Sequence, residues 1–169
     1  LYGNYEGYVN SEIGQDDAGI TQGFDFAALM DHAYGDLPQD RRHNLKVFGT
    51  YAFDMGLQVG GNFWFRSGRP VNSLGYHPTD PFAHQYGAFS FYTDGTPTPR
   101  GSQGTTDSVW ALDTMIKYDV KFGSMVMDFR LDIFNLIDND ATTEVREIAE
   151  QNYNQETGVS VPDNDYGRP

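Results

Sequence analysis

The stretch whose reading decides the fold is "LKVFGTYAFDMGLQVGGNFWFRSG", Leu45 to Gly68. Read by parity, its odd positions are Leu45, Val47, Gly49, Tyr51 and Phe53, while Asn44, Lys46 and Thr50 fall among the even ones. After Asp54-Met55-Gly56 the pattern resumes, with Leu57, Val59, Gly61, Phe63 and Phe65 on one side and Gln58, Gly60, Asn62, Trp64 and Arg66 on the other. Successive side chains of a strand point to opposite faces, so a period of two broken by a short Gly turn predicts an antiparallel hairpin with one apolar and one mixed face.

The same grammar recurs downstream. Trp110, Leu112, Thr114, Ile116, Tyr118, Val120 and Phe122 alternate with Ala111, Asp113, Met115, Lys117, Asp119 and Lys121. Across Gly123-Ser124, Met125, Met127, Phe129, Leu131 and Ile133 alternate with Val126, Asp128, Arg130, Asp132 and Phe134. The opening "LYGNYEGYVN" reads as a fifth strand. Strands are expected near 1–10, 43–54, 57–67, 107–122 and 125–136, joined by long loops at 11–42, 68–106 and 137–169. Around Thr143 to Gln151, "TEVREIAEQ" is rich in helix formers and predicts a short helix inside the last loop.

The chain around these hairpins is polar. It carries a net charge of −13 over 169 residues and a mean hydropathy of −0.56. With 24 acidic against 11 basic residues and no basic patch, its field repels phosphate backbones and argues against nucleic acid as a partner. No cysteine occurs, which removes disulfides, thiol nucleophiles and thiolate metal sites. No apolar run reaches the roughly 18 residues of a membrane helix. A membrane β-barrel escapes that criterion, because its signal is alternation over about 10 residues per strand.

Two features favour the membrane barrel over a soluble sandwich. The aromatics crowd the strand ends: Tyr51 and Phe53 beside one turn, Tyr118 and Phe122 beside the other, and Phe63, Phe65 and Trp110 toward the opposite ends. That layout matches two girdles bounding an apolar band about 25 Å tall, and a strand of about 11 residues tilted near 45° rises roughly 26 Å. The connections are also asymmetric, two or three residues on one side and tens of residues on the other, as in outer-membrane barrels. The expected fold class is therefore all-β: an antiparallel transmembrane β-barrel fragment with long extracellular loops. About five strands cannot close a barrel, since the smallest need about eight. The chain is accordingly expected to be part of a larger wall.

Parity assigns the faces. Leu45, Val47, Tyr51, Phe53, Val59, Phe63, Phe65, Leu112, Ile116, Tyr118, Phe129, Leu131 and Ile133 are expected to face lipid. Arg66, Asp113, Lys117, Asp128, Arg130 and Asp132, with Asp119 and Lys121, are expected to face the lumen, where opposite charges pair across the ladder. Their functional reading is docking or solute guidance; their bland one is a charge-balanced, solvated wall. Trp64 beside Arg66 could form a cation-π contact.

In the loops, Tyr86, Phe89, Phe91 and Tyr92 of "YGAFSFYTDG" are candidates for ligand contact or for a self-packed cluster. Asp40-Arg41-Arg42-His43 could bind lipopolysaccharide phosphates or pair with Asp36 and Asp40. His77, Asp80 and His84 offer nitrogen and oxygen donors, but Pro78 and Pro81 argue for an irregular loop, and no metal site is expected. "QDDAG" at Gln15 to Gly19 lacks the spaced oxygen ligands of a calcium loop and reads as a solvated turn. Ser67, Ser90, His43 and His77 occur without a nucleophile-elbow frame, so no enzyme and no cofactor are expected.

Several pieces carry a family resemblance in order and spacing: "LYGNYEGYVNSEIGQDDAG"; "DRRH" at Asp40 to His43; "SGRP" at Ser67 to Pro70; "LD" at Leu112-Asp113; and "DIFNL" at Asp132 to Leu136. Together they resemble the C-terminal part of the β-barrel of TonB-dependent outer-membrane receptors of the Oar-like kind. The resemblance implies a barrel of about 22 strands with a plugged lumen, residence in the outer membrane as a multi-pass barrel, and contact with lipid and lipopolysaccharide. It also implies the rest of the barrel and its plug, and a TonB-type energy-coupling protein, as partners. The plug and the final strand with its terminal aromatic have no counterpart in these residues. The alternative is a soluble all-β carbohydrate-binding or adhesion domain.

Overall fold

A computed structural model of the chain describes residues 1–8 and 26–169. The end of the expected first strand and the solvated-turn reading of Gln15 to Gly19 lie outside the described residues. The elements are β1 (Glu6–Gly7), a 3₁₀ turn (Ala27–Met30), β2 (Gly35–Asp36), β3 (Asn44–Ala52), β4 (Leu57–Arg66), α1 (Pro81–Gln85), β5 (Tyr92–Thr93), β6 (Thr96–Pro97), β7 (Val109–Phe122), β8 (Met125–Ile133), β9 (Glu150–Asn154) and β10 (Val159–Pro162). They form two compact units.

The first unit, residues 1–2, 43–67 and 108–141, is a four-stranded antiparallel sheet in the order β3-β4-β7-β8. The register turns sequence parity into rows across strands. Leu45, Phe65 and Trp110 stand in one row, Val47, Phe63 and Leu112 in the next, and Tyr51, Val59, Ile116 and Leu131 in a third. Tyr118 pairs with Phe129 and Val120 with Met127 on the same face. The β3–β4 turn closes with Phe53 N–H donating to the Leu57 carbonyl and Gly56 N–H to that of Phe53. Gly56 sits at φ +89, and a Cβ there would come 2.8 Å from the Asp119 carbonyl, so backbone sterics and neighbour both require glycine.

The sheet buries no core of its own. Every buried apolar residue described, from Leu29 and Ala33 through Val71, Leu74, Ala83, Ala88 and Phe91 to Ala149 and Tyr153, belongs to the second unit. Meanwhile Leu45, Val47, Tyr51, Ile116, Tyr118, Phe129 and Leu131 stay exposed, Phe129 and Leu131 at 56% each. Soluble monomers rarely leave so continuous an apolar face uncovered. Among the described residues the sheet does not close, no helix is long and apolar enough to cross a membrane, and the antiparallel all-β arrangement is that of a barrel fragment.

The second unit, residues 3–42, 68–107 and 142–169, collects most of the segments read above as long loops, together with part of the expected first strand. It contains three two-stranded antiparallel sheets, β1-β2, β5-β6 and β9-β10. Its small apolar cluster of Ala33, Leu74 and Phe91 is outweighed by buried polar side chains, of which Glu147, Glu150, Asn72, Asp40 and Ser90 are the largest fully enclosed. The helix expected at Thr143 to Gln151 does not form. Ile148 instead bridges Leu74, with Leu74 N–H donating to the Glu147 carbonyl and Ala149 N–H to that of Leu74, and β9 starts at Glu150. Burial of Glu147 and Glu150 as acceptors overrides their helix propensity. A second difference concerns Pro81, which opens α1 rather than an irregular run, with the Asp80 carboxylate accepting from Phe82 and Ala83 N–H at 3.0 and 2.8 Å.

Candidate functional site

The face of the sheet opposite the apolar rows gathers the charged candidates. Register places Lys117 opposite Arg130 and Asp119 opposite Asp128, so charges of one sign form bands across β7 and β8, an unfavourable arrangement if left alone. Relief comes along and between the strands: Lys117 Nζ lies 3.0 Å from Asp119 and 3.9 Å from Asp128, and Arg130 donates from Nε and Nη2 to Asp132. These pairs are partly exposed, and solvent screening keeps each of them weak. On β4, the Arg66 guanidinium sits 5.6 Å from the Trp64 ring centre, the cation-π contact their spacing suggests.

Asp113 ties two of the motifs together. One of its oxygens accepts from Asn135 N–H at 2.9 Å and the other from the Asn62 amide at 3.3 Å. Asn135 adopts φ +51, a left-handed conformation that asparagine tolerates better than most residues, and Leu136 N–H then returns to the Leu112 carbonyl. "LD" and "DIFNL" are thus one device that bends the chain at the end of β8.

The other motifs also resolve into structural tasks. Ser67 exchanges backbone and hydroxyl hydrogen bonds with His43, and a side chain at Gly68 would collide with the Thr106 backbone. Arg69, buried, donates to Glu147 at 2.6 Å and to the Pro70 carbonyl, while Asn72 donates to the second Glu147 oxygen at 3.0 Å. In "DRRH", Arg42 pairs with Asp36 at 2.7 Å and with buried Asp40 at 3.0 Å, the pairing option set out above.

The loop aromatics are not equivalent. Phe91 is 3% exposed and packs in the apolar cluster under the Arg100 guanidinium, 4.6 Å from its ring centre, which withdraws it from any contact surface. Tyr86 meets Phe26 edge-on at 5.2 Å, and Tyr92 meets both His32 and His77. Phe89 is half-buried. Burial and the Asp31 carboxylate hold the Tyr92 hydroxyl above its usual range. Burial lowers Arg100 to about 10, partly offset by Glu147, so it stays charged at neutral pH.

His77 is a structural clamp. Its Nδ1 accepts from Asp80 N–H at 2.9 Å and Thr79 N–H at 3.3 Å, and Nε2 reaches Asp31 at 3.4 Å, which fixes the tautomer. His84 Nδ1 contacts the His77 carbonyl, and its ring lies 5.0 Å from that of Tyr76. Among the described residues no group of three or more metal-ligating side chains converges.

Sequence reasoning missed two kinds of residue. Phe48 and Phe134 stand on the charged face at 81% and 77% exposure, a departure from parity that could have been flagged. Glu150, 1% exposed, accepts from Tyr76 N–H, Asp94 N–H and the Ser160 hydroxyl; its partners lie 74, 56 and 10 residues away, and no local signal marks it.

No protein-family model matches the chain, and no solved structure matches it. One curated protein does: the chain is 34% identical over 142 residues to the TonB-dependent transporter Oar of Myxococcus xanthus, an alignment that covers 80% of this chain. The match spans about 12% of that transporter's length. The similarity supports a relationship to TonB-dependent receptors.

Proposed function

We propose that the chain is a wall segment, with its outer loops, of a TonB-dependent outer-membrane transporter that binds or takes up an external ligand. The observation that carries this reading is the sheet without a core: an apolar face in continuous rows, exposed, with a charge-banded face behind it. In a barrel the first face meets hydrocarbon through Leu45, Val47, Tyr51, Phe53, Val59, Phe63, Phe65, Leu112, Ile116, Tyr118, Phe129, Leu131 and Ile133. The second meets the lumen through Arg66, Asp113, Lys117, Asp128, Arg130 and Asp132. Similarity to Oar favours a barrel of about 22 strands with a plug, further strands pairing with β3 and β8, and coupling to a TonB-type protein as properties of the whole molecule.

In this reading the long loops gathered in the second unit are extracellular, in keeping with their hydrogen-bonded polar interior. Of the loop aromatics, Tyr86, Phe89 and Tyr92 are the ones this reading assigns to ligand contact, Phe91 being buried. Refolding of the full-length protein tests the reading. It is expected to need detergent or lipid vesicles and then to migrate on gels in a heat-modifiable, β-rich form. A monodisperse folded protein without detergent would overturn it.

A further inference from the structure

Between His77 and Phe82 the stretch "HPTDPF" carries two prolines, so only Thr79 and Asp80 keep a backbone N–H. One atom receives both: His77 Nδ1 accepts from Asp80 N–H at 2.9 Å and from Thr79 N–H at 3.3 Å, inside a site where the histidine is 3% exposed. The loop around it is closed at its base, where Gly75 and Ser90 exchange backbone hydrogen bonds at 3.0 and 2.9 Å. Above that base, order depends on the imidazole.

The helix in this loop shows why. α1 has five residues, far below the roughly 12–15 at which a helix begins to hold by itself. Its entry holds it instead. The Asp80 carboxylate caps Phe82 and Ala83 N–H, Asp80 is itself fixed through its N–H by His77, and the Gln155 amide donates to the His77 and Asp80 carbonyls at 3.0 and 3.2 Å. The aromatic contacts of α1 follow from that entry, with Phe82 stacked on Phe26 at 5.9 Å and Tyr86 edge-on to the same ring at 5.2 Å.

A ring nitrogen that accepts cannot also carry a proton. Protonated at Nδ1, His77 turns an N–H toward two backbone N–H groups that have no other acceptor beside them, and both donors are then buried and unpaired. The remaining groups around the ring return less than this. Asp31, 3.4 Å from Nε2, has a half-exposed side chain and already meets the Nε2–H of the neutral ring, so charging the ring strengthens only a contact that solvent screens. Tyr92, 4.9 Å away, has its hydroxyl held above the usual range and stays neutral, and His32 packs on Tyr92 at 5.2 Å. His84 Nδ1 meets the His77 carbonyl, and the Asp80 carboxylate is turned to the helix N–H groups.

We propose that His77 is an acid-released latch: the neutral ring orders the loop and α1, and protonation at Nδ1 frees Thr79 and Asp80 and undoes α1 while the Gly75–Ser90 base stays closed. The closed form binds one proton fewer than the released form, so falling pH favours release. Histidine is the side chain that changes charge between about pH 5 and 8, which sets the window. Release carries Phe82 and Tyr86 away from Phe26, so acid disperses the aromatic surface that these three rings build.

Hydrogen exchange of the full-length protein in detergent, resolved to single amides by fragmentation and corrected for intrinsic rates, reads the latch. Protection at Thr79 and Asp80 is expected to fall by about tenfold or more between about pH 7.5 and 5, with Gly75 and Ser90 almost unchanged. His77→Asn offers a side-chain oxygen that accepts from the same two N–H groups in an Asx turn and does not titrate; it should keep Thr79 and Asp80 protected at both ends of the range. Should that variant fail to fold, Asp31→Asn keeps the proposal testable: removing the charge that favours the imidazolium should move the release to lower pH. Protection independent of pH in the native protein, an equal loss at Gly75 and Ser90, an unchanged pH dependence in His77→Asn, or an unmoved transition in Asp31→Asn overturns the proposal. The latch lies within one unit and does not draw on the wall reading, so folding without detergent would remove that reading and leave the latch.

Discussion

Replacing Glu150 with glutamine removes one carboxylate oxygen from a fully enclosed site while keeping its size. The native oxygens accept from Tyr76 N–H at 2.9 Å, Asp94 N–H at 2.5 Å and the Ser160 hydroxyl at 2.8 Å, with Gly75 packed so closely that a methyl group there would strike the carboxylate. Glutamine retains one acceptor and turns an amide NH₂ toward a backbone N–H, so one donor loses a charged partner and stays buried, a loss of about 1.5–3 kcal/mol. At about 1.4 kcal/mol per tenfold, local opening around Tyr76 and Asp94 should become about 10- to 150-fold more frequent. Hydrogen exchange read by mass spectrometry on the full-length protein in detergent measures this, with the β7–β8 hairpin as internal reference. Unchanged protection at Tyr76 and Asp94, or an equal loss in β7 and β8, would refute the argument that Glu150 organises this unit locally.

Other outcomes follow from the same polar interior. Arg69→Met leaves Glu147 buried without its cation and should cost about 3–5 kcal/mol, whereas Arg69→Met with Glu147→Met should recover most of that loss; limited proteolysis of the second unit separates the two. The Asp165 N–H, reinforced by Arg146, holds the Asp163 carboxyl below its usual range. Its contribution is therefore complete above the unfolded value near 3.9 and is lost as pH falls through the lower folded value, so the Arg146–Asp163 tie should loosen only below about pH 4. Tyr92 runs the opposite way. Its raised hydroxyl contributes fully below about pH 10 and loses that contribution above it, where the unfolded chain ionises first; exchange at Tyr92 against pH reads both limbs.

The sheet was legible because a strand's side-chain period of two is a local property. Leu45 to Phe53 and Trp110 to Phe122 state which face is apolar without reference to any partner, and Gly56 and Gly123, at φ +89 and +60, mark where the chain must reverse. The second unit was not legible, because its organisation rests on single polar contacts between distant segments, Arg69 with Glu147 across 78 residues and Tyr76 with Glu150 across 74. Nothing near Glu147 in sequence distinguishes a buried acceptor from an exposed helix residue, and local propensity accordingly pointed to a helix. Phe91 shows the same limit in reverse: its aromatic neighbours suggest a contact surface, but only the fold reveals Arg100 stacked upon it. Phe48 was readable as an exception to its own strand's alternation.

The central claim is that the apolar face of the sheet, made by odd positions on β3, β4 and β8 and even positions on β7, faces hydrocarbon and the charged face does not. The chain contains no cysteine, so single cysteines at positions 127 to 132 of β8, labelled with an environment-sensitive fluorophore in the full-length protein reconstituted with brominated lipid, report each side chain separately once any cysteines elsewhere are replaced. Quenching should be strong at Met127, Phe129 and Leu131 and weak at Asp128, Arg130 and Asp132, repeating every second residue. Quenching that is uniform along the strand, absent, or strongest at the charged positions would contradict the account.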